Sequence, residues 1–254
     1  MGDLNPAQAP IDAPLLLDRG DGTRLAFRFR PGRGPALLFL PGYISDMKGS
    51  KAVALDAWAE QTGRAMLRFD YSGCGESEGD FEDGTLARWR DDALAMVDAS
   101  EGDCVLVGSS MGGWLMLLIA LARPDRVRAL VGIAAAPDFS DWGFDQDAKM
   151  RILQQGRIEQ PSPHGPPMVT TRAFWQSAES QRLLHGPIAF DGPVRLLHGE
   201  ADADVPTWVS QRIAALVRSA DVQTVLVKDG DHRLSRPQDI ALLLRTVETL
   251  MEIL

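Results

Sequence analysis

A layered α/β fold, with a mostly parallel sheet flanked by helices, is predicted by two features of this sequence. Segments of strand character alternate with segments of helix spacing, and the strand segments are short, unbroken apolar runs. A strand covered on both faces has no solvent side. Runs such as Ala36-Leu37-Leu38-Phe39-Leu40 and Cys104-Val105-Leu106-Val107 accordingly show no polar alternation. With 254 residues, 45% of them apolar, the chain can bury a sizeable core.

In chain order, residues 15–17 and 23–29 alternate in polarity and are joined through Gly20-Asp21-Gly22, which predicts an early hairpin. The buried run at 36–40 is followed by a helix over 50–62 and a strand over 65–69. Leu86, Trp89, Ala93, Leu94 and Val97 fall at helix spacing, one apolar stripe for one face of the sheet. A buried strand over 104–107, a helix over 111–121 that is apolar almost all round, and a strand over 129–135 come next. Two more strands, 194–197 and 222–227, precede a final helix striped by Ile240, Leu243, Leu244, Val247, Leu250 and Met251. Residues 138–188 break the alternation with Gly156, prolines from Pro161 to Pro167 and scattered aromatics. That stretch reads as a strandless cap or lid inserted into a core formed by residues 1–137 and 189–254.

Composition excludes several classes of function. A net charge of −9 disfavours nucleic acid as a partner, and no apolar run reaches the roughly 18 residues of a membrane span. The first residues lack a basic or Arg-rich leader, and two cysteines, Cys74 and Cys104, are too few for a disulfide framework or a thiolate metal site. A cytoplasmic setting is expected, with no cofactor and no metal. Oligomeric state is left open.

Gly108-Ser109-Ser110-Met111-Gly112 matches G-x-S-x-G between a buried strand and an apolar helix. In that context the serine occupies a strained strand-to-helix turn, and its neighbours two positions away must be small for backbones to pass. The turn exposes the hydroxyl above the sheet at the positive end of the helix, which nominates Ser110 as a nucleophile. Ser109 lacks glycine at the required offset. A serine hydroxyl needs a base. Of His164, His185, His198 and His232, only His232 follows the last strand, where such a base belongs; His198, at a strand end, reads as a structural hydrogen-bonder. Glu200, Asp202, Asp204 and Asp231 compete to orient the imidazole. Asp202 is favoured because Asp204 suits the N-cap of the next helix, with Pro206 in its first turn, and Asp231 is adjacent to His232. The amides of Met111 and Tyr43 are placed to hold an oxyanion, and the Tyr43 side chain to line the pocket. Arg233, directly after the histidine, either binds a substrate carboxylate or pairs with Asp229 or Asp231.

These residues, with Pro41-Gly42-Tyr43, Arg68-Phe69-Asp70-Tyr71-Ser72-Gly73, Gly112-Gly113-Trp114, Leu183-Leu184-His185, Leu196-Leu197-His198-Gly199 and Asp231-His232-Arg233, carry a family likeness. The sequence resembles the acyl-glucuronide esterase and palmitoyl-protein thioesterase members of the α/β-hydrolase domain-containing group and their bacterial relatives. The resemblance implies an α/β-hydrolase fold, a triad of Ser110, Asp202 and His232, and hydrolysis of esters or thioesters in small-molecule or acylated-protein substrates. It is weakest from about residue 141 to 181, and it lacks the organelle-targeting extension of mitochondrial members, which implies a cytosolic version. A lactonase, C–C hydrolase or peptidase would use the same machinery, and a non-catalytic receptor could share the fold. Gly73-Cys74-Gly75-Glu76-Ser77-Glu78-Gly79 has the wrong spacing and charge for a dinucleotide loop and reads as a tight structural turn built with Asp70.

Overall fold

The computed structural model describes residues 13–161 and 167–254. The N-terminal segment and His164 lie outside the described residues. β1 (Leu15–Asp18) and β2 (Arg24–Arg30) form the expected antiparallel hairpin, and β2 continues antiparallel to β4 (Arg64–Phe69). From there the sheet is parallel through β3 (Arg33–Leu40), β5 (Cys104–Ser109), β6 (Val127–Ile133), β9 (Val194–Gly199) and β10 (Val222–Val227). The order across its eight strands is β1-β2-β4-β3-β5-β6-β9-β10.

Helices cover both faces, and the two-residue period of the strands sorts the core accordingly. Leu37, Phe39, Met66, Val105, Val107 and Val131 pack against α1 (Ser50–Thr62) and α8 (Pro237–Glu252), through Leu55, Trp58, Leu243 and Val247. Leu38, Leu40, Leu67, Phe69 and Leu106 face the other way. They meet α2 (Leu86–Ala99), α3 (Met111–Ala122) and α7 (Trp208–Leu216), through Trp89, Trp114, Leu117 and Val209. α3 is buried almost all round, as its composition required.

The chain leaves β3 to one side for β4 and returns to its other side for β5. The connections at the carboxyl ends of β3 and β5 therefore diverge and leave a crevice, the place where open α/β sheets bind ligands. Tyr43 follows β3 and Ser110 follows β5, so both stand at this switch point.

Between β6 and β9 lie α4 (Phe139–Trp142), α5 (Gln146–Gln155), β7 (Arg157–Gln160), β8 (Met168–Thr171) and α6 (Arg172–Glu179). The strandless expectation for this stretch is corrected, because β7 and β8 pair as an antiparallel ribbon. Each has four residues, and its pairing partner lies beyond the proline-rich tract, so neither makes a pattern by itself. Asp138 closes the neck of the segment: its buried carboxylate accepts the amides of Leu183 and Leu184, each at 2.8 Å. Tyr43, Phe81, Trp89, Phe139 and Phe174 form an aromatic cluster joining the segment to the core, with Tyr43 and Phe174 centroids 4.9 Å apart.

The Gly73–Gly79 turn is structural, as expected. Asp70, buried beneath it, accepts the amides of Met47 at 2.7 Å and Glu76 at 2.8 Å, and a Cβ on Gly75 would fall 2.1 Å from its carboxylate.

Candidate active site

The turn from β5 into α3 is built by steric necessity. A Cβ at Gly108 would lie 2.4 Å from the carbonyl oxygen of Gly112, and one at Gly112 would lie 2.0 Å from that of Leu40. Only glycine lets β3, β5 and α3 approach this closely. Between them Ser110 takes φ 53° and ψ −118°, a region that non-glycine residues rarely occupy. The strain is held by backbone bonds: the Ser110 amide donates to Ile133 O at 2.9 Å, and the Ser110 carbonyl accepts from Gly113 at 2.8 Å and Ala136 at 3.0 Å. The Ser110 side chain is left half-buried at the crevice, ahead of α3's first turn.

His232 and Asp202 come from the loops after β10 and β9, neighbours in the sheet. His232 Nε2 lies 3.1 Å from Ser110 Oγ, and Nδ1 lies 2.9 Å from Asp202 Oδ2. With Nδ1–H donating to the carboxylate, Nε2 is the lone-pair nitrogen facing the hydroxyl. The imidazole keeps about a quarter of its surface exposed, whereas the Asp202 side chain is fully enclosed.

Burial alone would raise the pKa of Asp202. Hydrogen bonds from His198, His232 and the Val205 amide together outweigh it and hold the carboxyl well below the usual carboxylate range. Its Oδ1 accepts the amides of Asp204 at 2.9 Å and Val205 at 2.8 Å. His198, fully buried, donates from Nε2 to Val205 O at 2.9 Å and accepts at Nδ1 from Ser210 Oγ at 2.6 Å. Its Nε2 also stands 3.4 Å from Asp202 Oδ2, a support for the acid that sequence reasoning missed. The signal was present: a histidine four residues before the acid, at the end of a buried strand.

Among the described residues the rival acids form no hydrogen bond to the imidazole. Asp204 is exposed; its amide donates to Asp202, and its carboxylate lies within 4.8 Å of ligand atoms of Asp202 and His232. Nor does it cap the next helix: α7 starts at Trp208, with Thr207 at the N-cap. The turn folds around Asp202 instead, whose carboxylate takes both following amides. Asp231 Oδ1 accepts Leu234 N at 2.9 Å, and Glu200 is exposed. His185 is exposed in the segment between β6 and β9.

Tyr43 lies beside Ser110 because Gly42 brings the turn in, its Cβ position being 3.3 Å from Ser110 Cβ. Among the described residues, neither the Tyr43 nor the Met111 amide donates to another group. The Tyr43 phenol, its pKa pushed up by burial, donates to Val169 O of β8 at 2.6 Å. It therefore pins the segment between β6 and β9 to the turn after β3. Arg233 is exposed and forms no ion pair among the described residues. Asp229 and Asp231 lie instead near Arg236, which donates to Asp229 O at 2.7 Å. Asp202, Asp204 and His232 could offer three metal-ligand atoms within 4.8 Å of one another, but hydrogen bonds already engage Asp202 and His232 Nδ1.

Known proteins place this geometry in a family. The family model "Alpha/beta hydrolase family" matches residues 37–241. The mitochondrial palmitoyl-protein thioesterase ABHD10 of Homo sapiens is 41% identical over 243 residues, covering 93% of this chain and 79% of that protein. Among solved structures, alpha/beta hydrolase domain-containing protein 10 from mouse superposes with a TM-score of 0.89 at 40% identity, covering 94% of this chain and 98% of that one. A putative hydrolase from Agrobacterium vitis S4 gives 0.86 at 36% identity, covering 95% and 99%. The expectation of a cytoplasmic, cytosolic protein is overturned by these relatives, since the ABHD10 proteins matched in human, orangutan and cattle are mitochondrial. Among the described residues no helix is long and apolar enough to cross a membrane. The chain belongs to the alpha/beta hydrolase family and is an ester or thioester hydrolase.

Proposed function

We propose that this chain cleaves acyl thioesters and esters through an acyl-enzyme formed on Ser110. The observation that carries the reading is the unbroken hydrogen-bonded series Asp202–His232–Ser110 at the sheet's switch point. His232 Nε2 takes the hydroxyl proton as Ser110 Oγ attacks the acyl carbon. Asp202 stays ionised, fixes the tautomer and stabilises the imidazolium. The Tyr43 and Met111 amides hold the oxyanion; one such donor is worth about 2.7–4 kcal/mol. As the tetrahedral intermediate collapses, His232 returns the proton to the leaving thiolate or alkoxide. Water, deprotonated by the same imidazole, then releases the acid and restores Ser110.

The relatives named palmitoyl-protein thioesterase support an acylated protein as substrate. We assign residues 138–188 as a cap over the acyl group and residues 1–137 and 189–254 as the catalytic core; the Tyr43 bond to β8 and the aromatic cluster at their junction support that division. Arg233 would select among leaving groups that carry a carboxylate.

The test is a substrate panel on wild type and Ser110→Ala: an S-palmitoyl peptide, p-nitrophenyl esters of graded length, an acyl glucuronide and a peptide amide. Wild type should cleave the thioester and esters, and a fluorophosphonate should label Ser110 alone. Ser110→Ala should lose labelling and about 10⁶-fold of turnover. Full activity in Ser110→Ala would refute the nucleophile.

A further inference from the structure

We infer that Lys51 is a positioning residue for His232: its side chain grips the Arg233 carbonyl and so holds the loop that carries the imidazole. The inference rests on His232 acting as the base.

Lys51 stands in the first turn of α1, and Nζ donates to Arg233 O at 2.6 Å, with Ser235 Oγ 3.4 Å away. Ser235 Oγ donates to the same carbonyl at 3.0 Å and lies 3.4 Å from Ser50 Oγ. The peptide group that follows His232 by one residue is thus fastened to a helix 182 positions away in sequence. The loop needs fastening. It passes through φ 57° at Asp229 and φ 43° at Leu234, on either side of His232, and neither residue is glycine. Such conformations persist only where surrounding contacts over-determine them. The bonds from Arg236 to Asp229 O and from Leu234 N to Asp231 act within the loop and its own helix. The Lys51 contact ties the loop to a different element.

The choice of residue also conflicts with local helix chemistry. A cation in the first turn opposes the helix dipole, which favours acids there, and α1 has no acidic residue in that turn. A local rule broken in favour of one tertiary contact is the pattern expected beside a functional site.

The charged groups around Lys51 make the contact pH-sensitive. Burial first, and then the Arg233 guanidinium, lower its pKa, while Asp231 and Asp239 pull it up; the balance leaves the ammonium at about 8. Asp239 shares its charge with Arg236 at 2.8 Å. Across that pH the grip on Arg233 O passes from a charge-assisted bond to a neutral one, roughly half as strong.

Two readouts on purified protein test this: pH profiles of kcat and KM for wild type, Lys51→Met and Lys51→Arg, and imidazole NMR signals of His232 identified through His232→Gln. Lys51→Met should lower kcat about 10- to 10²-fold at pH 7, the scale of a small misplacement of a catalytic group, with KM little changed. Lys51→Arg, which keeps the cation, should recover most of it. In wild type, kcat should fall and the His232 signals shift as pH passes about 8, and Lys51→Met should do neither. If wild type hydrolyses esters while Lys51→Met matches its kcat, profile and His232 signals, the positioning role is overturned and the proposed function stands. If wild type hydrolyses none of the panel but its His232 signals still follow Lys51, the proposed function fails and the positioning role stands. Should Lys51→Met not fold, the wild-type titration and Lys51→Arg still decide.

Discussion

His232 Nδ1 meets one oxygen of Asp202 at 2.9 Å, while the other oxygen of that carboxylate accepts two backbone amides, those of Asp204 and Val205. The acid is therefore fixed by its own loop before it fixes the imidazole. Asp204 bonds the carboxylate of Asp202 through its amide.

Exchange of each aspartate for asparagine should separate the two. Asp202→Asn presents an amide to His232 Nδ1 and favours the wrong tautomer, at a cost near ~10⁴ in kcat. Asp204→Asn keeps its backbone amide and should stay within about 0.5 kcal/mol of wild type in stability, with near-normal kcat. Steady-state kinetics on one activated ester checks both, and comparable losses would transfer the orienting role to Asp204.

Asp202 should also leave a mark on acid stability. Its folded-state pKa is depressed, so its contribution is fully present above the unfolded value of ~3.9 and fades as pH falls toward the folded one. In that range the unfolded chain takes up the proton first, which favours unfolding. Urea midpoints of wild type minus those of Asp202→Asn should therefore fall steadily between about pH 5 and pH 2. A difference that stays constant over this range would mean that the carboxylate is not held ionised by its bonds.

What could be read from the sequence follows what is local in it. The elbow was legible because Gly108, Ser110 and Gly112 satisfy a steric demand within five residues, with the strand and helix on either side. The sheet was legible because both its faces are covered, leaving runs such as 36–40 wholly apolar. The reading faltered where partners are remote. β7 and β8 are each four residues long and find each other across a proline tract, and the aromatic side chains that seat their segment are spread along the chain from Tyr43 to Phe174. The misread of Asp204 has another cause. Ser, Thr, Asp and Asn before a helix serve equally as caps or as turn formers, and here Asp202 forms the turn by taking the amides of Asp204 and Val205, while the helix starts later, at Trp208. Lys51 carries no sequence signal for its contact, since its acceptor is a backbone carbonyl.

The glycines of the elbow should differ sharply from a glycine with space around it. In Gly112→Ala the new methyl meets Leu40 O at 2.0 Å and Pro41 O at 2.6 Å, both backbone, so β3 and α3 must separate. A loss of about 4 kcal/mol or more in stability, or failure to fold, is expected. Gly186→Ala meets nothing within 4 Å and should change stability by no more than about 0.5 kcal/mol. Thermal denaturation of the two variants side by side gives the comparison; a stable Gly112→Ala would show that the turn has slack the geometry denies.

Arg233 bears on substrate choice. Its side chain, one residue past His232, is exposed and forms no ion pair among the described residues, while Arg236 lies nearer the local acids. The pairing with Asp229 or Asp231 that would have made it structural is thus not formed. A free, planar guanidinium at the mouth of a site is suited to hold a carboxylate bidentately, and a lysine would match that geometry poorly. Arg233→Met should accordingly raise KM for an ester whose leaving group bears a carboxylate, by about tenfold for a partly solvated charge-assisted contact of ~1.4 kcal/mol. A neutral ester of the same acyl chain should keep its kcat and KM, because the Lys51 bond is to the backbone of residue 233 and survives the exchange. Lys at this position should recover part of the loss through its charge alone. If neutral and anionic esters suffer alike, Arg233 serves the loop and not the substrate, and discrimination among leaving groups falls to the segment between β6 and β9.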